Sequence, residues 1–383
     1  MLTPAKLPGK PSRDFVKLQI GVNEAHCKAP KDVKVLNGQW MRVQVATIIG
    51  FVTAHFEDAP IHPNEKGDDK DARLRQAWSY LCDFNPRGEH DGERKRLVVT
   101  PGKNSDVRSW MSQLLGVGVG LAVVCRKLGI PFTSVRRLNF SPKTRHDFDA
   151  ERNGKPVKLE VRGRFKKSGR SDAIKQVKTK FEKEHNFAQV VAAQVYPFDR
   201  AKRDAVDVEL LDPDGGYLSP PEERLKRIIG HYAAYLAHQN VDGHYLLRML
   251  TRVRDEDFLR FFRTTWQRLW RAQLADLGRP GVTTLGRTAL RIGGDTYYGT
   301  FWEGAAVPGW VRAFVRDAEH GFAFMGVWKG VFDALLSENT TLALLDLDVQ
   351  GSSFSDKGVA YVRLADGFLV AWSRNLQRLL DHP

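Results

Sequence analysis

The sequence predicts a mixed α/β protein (α+β, multidomain), in which an αβ core lies between a β-rich module and a C-terminal region of helices and strands. The chain has 383 residues, enough for two or three domains. Segments with helical apolar spacing and segments with period-two alternation are interleaved between 101 and 212. The turn at 213–216 then gives way to a helical composition. We predict a β-rich module at 1–100, the core at 101–212, a helical segment at 217–279 and an α/β or β-rich domain at 280–383.

The N-terminal module is predicted from two alternating segments and one helical segment. Residues 33–36 and 40–47 flank the Asn37-Gly38 pair, which is typical of a hairpin turn. Residues 71–84 carry apolar side chains at helical spacing.

The core is predicted to follow the order helix, strands, helix, strand. Asn104, Ser105 and Asp106 offer helix caps, and Gly129-Ile130-Pro131 ends the helix after about residue 127. Strands are predicted at about 133–140, 145–150 and 156–164. A helix from about 171 to 185 and an apolar strand at 188–195 follow.

The C-terminal half is predicted to begin with helices and to continue with strands. Helices are expected at 221–238, 242–252 and 255–277, and strands at 297–302, 341–349 and 359–364. Aromatic residues form a stripe on the third helix. Such a stripe is typical of a core face, and a protein-partner interface is the alternative. Its members are Phe258, Phe261, Phe262, Trp266, Leu269 and Trp270.

The charge balance points to a polyanionic partner. The net charge is +14 and the pI is about 9.7, which favours nucleic acid over a membrane surface because no basic amphipathic helix stands out. Three cysteines, Cys27, Cys82 and Cys125, argue against a disulfide framework and against a cysteine-built zinc site. The first residues lack an apolar signal segment, and the apolar runs are too short for a membrane span, so we expect a cytoplasmic protein.

The most informative segment is the predicted hairpin around Asn153-Gly154. Because side chains alternate along a strand, Lys158, Glu160 and Arg162 share one face. The Asn-Gly turn brings Asp147 or Asp149 back beside Glu160. Neighbouring carboxylates are costly unless a cation lies between them, so the residues favour a Mg²⁺ (or Mn²⁺) site formed by Asp147, Glu160 and Asp149. A magnesium-dependent phosphodiesterase has a site of this kind.

The spacing of these residues resembles the PD-(D/E)XK nuclease superfamily, the restriction-endonuclease-like fold. That family has an Asp after one strand and Glu-x-Lys on the next, where this chain has His146-Asp147 and Glu160-Val161-Arg162. Residues 111–118 are similar to the opening of the family's first helix, and the predicted order of elements also resembles the family's core. The resemblance covers about 105–200. It implies DNA as the substrate, the Val161 carbonyl as a further metal ligand, and a bacterial antiviral-defence or restriction-type setting.

Two residues depart from the family's pattern. Gln113 stands where some members carry an acidic residue, and Arg162 replaces the usual Lys. A guanidinium stays charged, so Arg162 is expected to clamp a phosphate and not to act as a base. Lys158, on the same face, is the candidate to supply the missing ammonium. Asp147, Glu160, Lys158 and Arg162 are therefore the candidate catalytic residues.

A basic segment follows the candidate site. Between 155 and 183 there are eleven Lys or Arg and three acidic residues. The functional interpretation is a phosphate-contacting surface, and the alternative is a solvated helix face. The candidate nucleic-acid-binding residues are Lys166, Lys167, Arg170, Lys175, Gln176 and Lys178.

Two functions from different classes agree with these residues. The first is a magnesium-dependent deoxyribonuclease, in which Asp147 and Glu160 hold the metal. The second is a non-cleaving nucleic-acid-binding scaffold with a degenerate nuclease fold, which docks partner proteins through its aromatic C-terminal half. A third interpretation gives 145–164 no chemistry beyond that of an exposed charged hairpin.

Overall fold

The computed structural model of the chain describes two compact units. The described residues are 4, 10–11, 15–22, 31–44, 47–48, 51, 105–138, 147–163, 175, 179–180, 189–195, 206–211, 218–238, 243–277, 288–306, 320–347, 352–356 and 358–381. Those of the first unit fall within Met1–Asp14 and Ile228–Pro383. Those of the second fall within Phe15–Pro60 and Phe84–Arg227.

The elements are numbered in chain order. The strands are β1 (Lys10–Pro11), β2 (Phe15–Val22), β3 (Trp40–Gln44), β4 (Arg136–Arg137), β5 (Phe148–Arg152), β6 (Lys155–Gly163), β7 (Gln189–Val195), β8 (Val206–Leu211), β9 (Thr288–Ile292), β10 (Asp295–Ala306), β11 (His320–Trp328), β12 (Ser352–Asp356), β13 (Val359–Arg363) and β14 (Phe368–Ser373). The α-helices are α1 (Lys31–Lys34), α2 (Ser105–Leu128), α3 (Pro221–His238), α4 (Gly243–Arg252), α5 (Asp255–Phe261), α6 (Gln267–Leu277), α7 (Lys329–Leu335), α8 (Glu338–Leu342) and α9 (Leu376–Leu380). Shorter helical turns are the 3-10 helices Phe132–Ser134 and Ala343–Asp346 and the π-helix Phe262–Trp266.

The second unit contains a mixed sheet. Among the described residues it has seven strands in the order β3-β2-β8-β7-β6-β5-β4. The β6–β7 and β2–β8 pairs are parallel, and the other neighbouring pairs are antiparallel. The two strands that carry the candidate site, β5 and β6, therefore lie inside the sheet and not at its edge.

Helix α2 packs against β6 and β7 and positions the end of β6. The helix and the strand approach very closely at Gly116, where an added Cβ would lie 1.8 Å from the main-chain nitrogen of Gly163. On β6, Val157, Leu159 and Val161 are buried. Because side chains alternate along a strand, Lys158, Glu160 and Arg162 project from the opposite face.

The β5–β6 hairpin forms as the sequence predicts. Arg152 pairs with Lys155, so the loop has two residues, and Asn153 (φ 51°) and Gly154 (φ 77°) both adopt the left-handed region. Positive φ at both central positions is the geometry that favours Asn-Gly, because it matches the twist of the strands. The prediction of this hairpin is confirmed, and its register determines which side chains meet.

The first unit contains an antiparallel sheet. Among its described residues the strand order is β1-β12-β13-β14-β11-β10-β9. The predicted aromatic stripe contributes to the interior of this unit: Phe258, Phe262, Trp266 and Trp270 are at most 1% exposed. The stripe is therefore a core face, as its spacing predicts.

Several predicted elements differ from the structure. The predicted strand at 33–36 is wrong, because Val33 and Leu36 are buried three residues apart and Val35 is 64% exposed, which is helical spacing in and after α1. The predicted strand at 341–349 is also wrong. Residues 341–346 lie in α8 and in a 3-10 helix, with Thr341, Leu344 and Leu345 buried at helical spacing, and residues 348 and 349 lie outside the described residues. In the region predicted as a strand at 133–140, the structure has a 3-10 helix and the two-residue β4.

The predicted N-terminal module shares its sheet with the predicted core. Strand β2 pairs in parallel with β8, a strand beyond those predicted, and β3 pairs with β2. Two strands are marginal alone, and they become stable by extending a larger sheet. The predicted helix at 71–84 lies outside the described residues. The coarse prediction of a mixed α+β fold is confirmed, and the sheets of the described residues are largely antiparallel. None of the described helices is both long and apolar enough to cross a membrane.

Candidate active site

Asp147 and Glu160 lie side by side at the open end of the β5–β6 hairpin. Phe148 pairs with Leu159, so Asp147, immediately before β5, falls opposite Glu160. The main-chain N–H of Asp147 donates a hydrogen bond to Glu160 Oε2 at 3.3 Å. Residues opposite each other in an antiparallel pair project from the same face. The turn and the register together therefore place both carboxyl groups on the polar face.

Lys180 joins these two carboxylates. Its ammonium donates to Glu160 Oε2 at 2.7 Å and Oε1 at 2.9 Å, and to Asp147 Oδ1 at 3.2 Å. Because the Lys180 nitrogen contacts both side chains, Asp147 Oδ1 and Glu160 Oε2 lie within a few ångströms of each other. Lys180 and Glu160 are buried, with 7% and 2% of their side-chain surface exposed.

Sequence reasoning did not select Lys180 for the site. Lys180 is 20 residues after Glu160, within the basic segment for which the sequence favours a phosphate-contacting surface. A sequence signal was present, however. Ile174, Val177 and Phe181 recur at helical spacing, and Lys180 follows Val177 by three positions, so it falls on the apolar face of the predicted helix. A lysine on an apolar face is costly unless it is paired.

Arg162 provides a second positive charge at the pair. Its Nε donates to Glu160 Oε1 at 2.6 Å and lies 3.8 Å from Asp147 Oδ2. One third of its side-chain surface is exposed. The structure therefore places Arg162 at the mouth of the site, between the buried Glu160 and solvent.

The surroundings of Asp147 disfavour its ionised form. Burial raises the pKa of Asp147 above its usual value, and the like charge of Glu160 raises it further. Lys180, Arg162 and Arg137 oppose both effects. When both carboxyl groups are ionised, their two formal negative charges equal the two formal positive charges of Lys180 and Arg162.

Asp149 and Lys158 lie on the same face but belong to a different cluster. Lys158 Nζ is 3.6 Å from Asp149 Oδ1, and Asp149 Oδ2 also lies 2.9 Å from Arg136 and 3.2 Å from Arg227. Burial alone would raise the pKa of Asp149, but these three cations hold it well below its usual range. The structure thus places Asp149 in an ion-pair network with three cations, and one of these cations is Lys158.

The predicted nucleic-acid-binding residues are described only in part. Lys175 is exposed. Lys166, Lys167, Arg170, Gln176 and Lys178 lie outside the described residues. Within the described part of the chain, no group of three or more His, Cys, Asp and Glu side chains is arranged to hold a metal ion. Among the described side chains, the acidic groups that the structure brings together at this site are Asp147 and Glu160.

Comparisons with models of known families, with curated proteins and with solved structures find no match for this chain. The geometry of the site is therefore the basis for a functional assignment.

Proposed function

We propose that this protein is a metal-dependent nuclease that hydrolyses DNA phosphodiester bonds, with a PD-(D/E)XK core at about 105–200. The observation that carries the proposal is the position of Lys180, whose ammonium contacts both Asp147 and Glu160. An acidic pair, with one member just before a strand and the other on the adjacent strand, and a lysine between them, combines the three charged groups of that family's site. Here the lysine comes from a helical segment and not from the strand that carries Glu160.

The order of elements supports the same proposal. Helix α2 is followed by the short β4, by β5 and by β6, and Lys180 lies in helical backbone before β7. This is the order helix, strands, helix, strand that the resemblance implies. Of the two acidic residues, Glu160 lies within β6, and Asp147 lies just before the neighbouring strand β5.

The donor set fits a divalent ion. Asp147 and Glu160 offer the carboxylate oxygens that Mg²⁺ and Mn²⁺ prefer, and the structure already shows a cation, the Lys180 ammonium, held between them. These two residues would hold the ion. When bound, such an ion supplies Lewis-acid activation of water and neutralises phosphate charge.

The protein's own cations have distinct roles in this proposal. Arg162 stays charged at any physiological pH, and it is exposed enough to contact a substrate phosphate while it holds Glu160. Lys180 has a compact ammonium on a flexible stem, which suits it to orient a water or a phosphate oxygen. Lys158, which was the candidate for this role, is instead paired with Asp149.

The proposal is tested by replacing one carboxylate without changing its shape. Glu160→Gln should lower DNA cleavage in Mg²⁺ by at least about a hundredfold, the order of loss when one group that stabilises transition-state charge is removed. Plasmid nicking and linearisation measure this, with and without a chelator. The matched control is Glu256→Gln, since Glu256 is 74% exposed. Undiminished cleavage by Glu160→Gln, with thermal unfolding unchanged, would end the assignment, and so would full activity in chelator.

A second candidate function is a non-cleaving nucleic-acid-binding scaffold. The observation that favours it is the charge balance of the site, where two carboxylates are neutralised by Lys180 and Arg162. A nuclease fold that has lost its metal would keep such a balance. This function predicts DNA binding that does not change with Mg²⁺, together with no cleavage by the unaltered chain.

A further inference from the structure

The ammonium of Lys180 occupies the position between the two candidate metal ligands. It lies 2.7 and 2.9 Å from the two oxygens of Glu160 and 3.2 Å from Asp147 Oδ1. An ion bound by both carboxylates would lie between the same oxygens. Since the side chain of Lys180 is almost completely buried, its ammonium does not share this space with bulk water.

We propose that Lys180 is a resident counter-ion of the carboxylate pair, and that a divalent metal ion binds by displacing its ammonium. The inference rests on the proposed function, because it concerns metal binding at the same site. It adds a regulatory property: the affinity for metal is set by competition with a side chain of the protein itself.

The charges explain why the two cations exclude one another. With Lys180 and Arg162 in place, the formal charges of the two carboxylates are already balanced, so a divalent ion added to them would leave two excess positive charges beside the buried Glu160. Repulsion between cations a few ångströms apart is strong where water is excluded. If Lys180 withdraws, the ion recovers the attraction of both carboxylates.

Lys180 is the cation that can leave. It comes from a helical segment outside the hairpin, so its flexible four-carbon stem is attached to neither of the two site strands. Arg162 is on the same strand as Glu160, two residues away, and holds one Glu160 oxygen at 2.6 Å. After displacement the ammonium stays tethered next to the pair, where the proposed cleavage needs a positive charge.

The experiment measures Mn²⁺ binding to the full chain by calorimetry and by the electron paramagnetic resonance of free Mn²⁺. Lys180→Met removes the ammonium and keeps the length of the side chain, so affinity should rise by at least about tenfold as the competing charge is lost. Lys155→Met is the charge-matched control, since Lys155 is exposed at the start of the same strand as Glu160. Its affinity should equal that of the unaltered chain. Glu160→Gln should abolish binding.

The outcomes separate this inference from the proposed function. If the unaltered chain binds Mn²⁺ through Glu160 and Lys180→Met binds with equal or lower affinity, the competition is refuted and the metal site stands. If neither the unaltered chain nor Lys180→Met binds Mn²⁺, both the competition and the metal-dependent function are refuted.

A second measurement needs no variant, in case Lys180→Met leaves Glu160 unpaired and fails to fold. The extent to which an amine-acylating reagent modifies Lys180 is measured by mass spectrometry, relative to Lys155, with and without saturating Mn²⁺. Displacement releases the ammonium from its two carboxylates, so modification should increase several-fold with Mn²⁺. Equal or lower modification would overturn the inference.

Discussion

Around Asp149 the polar face of the hairpin continues into a buried ion-pair network. Asp149 contacts Arg136, Lys158 and Arg227, and next to it Glu151 contacts Arg224 at 3.1 Å and Arg227 at 3.4 Å. The side chains of Asp149, Glu151 and Arg227 are each at most 5% exposed. Removing one charged partner from such a buried network leaves the opposite charges uncompensated. This loss destabilises the folded state even where the intact network adds little to the free energy of unfolding.

Asp149→Asn should therefore destabilise the second unit by about 3 to 5 kcal/mol at neutral pH. The folded-state pKa of Asp149 is lowered, so its contribution is present above the usual Asp pKa of 3.8 and is lost as pH falls through the folded-state value. The difference in free energy of unfolding between Asp149→Asn and the unaltered chain should shrink by up to about 1.4 kcal/mol for each pH unit below the usual pKa of 3.8, down to the folded-state pKa. Urea unfolding at neutral pH and near pH 3 measures it. Asp346→Asn is the control at an exposed position, and an equal effect of the two substitutions would refute the role of the network.

At the same scale, the sequence predicts Asp147 and Glu160 but not their partner. Both acidic residues follow from a local rule, because a two-residue turn determines which positions face each other. Lys180 meets Glu160 through tertiary packing of a segment 20 residues away, which no local pattern determines. Lys158 shares a strand face with Glu160. Asp149, however, lies directly opposite Lys158 on the neighbouring strand, and this cross-strand pairing explains why the Lys158 ammonium contacts Asp149.

At the scale of elements, the contact between α2 and β6 determines where the end of the site strand lies. At Gly116 an added Cβ would be 1.8 Å from Gly163 N and 2.4 Å from the carbonyl carbon of Arg162. Both are main-chain atoms, so no side-chain rotation relieves the overlap. Helix α2 can approach β6 this closely only because residue 116 has no side chain.

Gly116→Ala should destabilise the protein by about 3 kcal/mol or more, at the upper end of overpacking effects, although Ala favours helix intrinsically. Thermal and urea unfolding measure it. The comparison is Gly129→Ala, where nothing lies within 4 Å and only the φ of 63° opposes a side chain. That substitution should cost about 1 to 2 kcal/mol. If Gly116→Ala is the milder of the two, helix and strand are not in contact as described.

Elements with long periodic patterns are the ones that sequence predicts well. Helices α2 and α3 begin and end close to their predicted bounds, and β6 and β7 lie within a residue or two of theirs. The error at 33–36 falls on a segment so short that its four residues fit both a period of two and a period of 3.6. Tertiary packing determines whether such a segment forms a helix or a strand, and here it buries Val33 and Leu36, which are three residues apart.

At the scale of the whole molecule, the excess of 14 positive charges is the property most relevant to a nucleic-acid partner. Part of the basic segment is directed inward, since Lys158, Arg162 and Lys180 are engaged by Asp149, Glu160 and Asp147. We therefore expect phosphate contacts beyond that of the partly exposed Arg162 to come from the remaining members of the segment, of which Lys175 is exposed. Composition predicts the sign of the protein's electrostatic potential, whereas the structure shows which basic side chains are already paired with carboxylates.

Neutralising this remaining set should weaken DNA binding and flatten its dependence on salt. Each lost phosphate contact should reduce the log–log slope of affinity against salt by roughly one unit, about equally for unrelated DNA sequences, because phosphate contacts release counterions without reading bases. Fluorescence anisotropy across a salt series measures this, in chelator so that cleavage does not interfere. The residues to change to Gln together are Lys166, Lys167, Arg170, Lys175 and Lys178.

The control for this variant has the same change in net charge at another place. Five exposed arginines on or beside the first-unit helices α4 to α6 supply it when they are changed to Gln: Arg252, Arg254, Arg260, Arg268 and Arg271. If the basic segment contacts phosphates, only the first variant loses slope, because binding depends on where the charges lie. Equal losses in both variants would mean that net charge alone attracts DNA. An unchanged slope in the first variant would make the segment a solvated helix face, and it would remove the phosphate-contacting surface from the nuclease and from the scaffold alike.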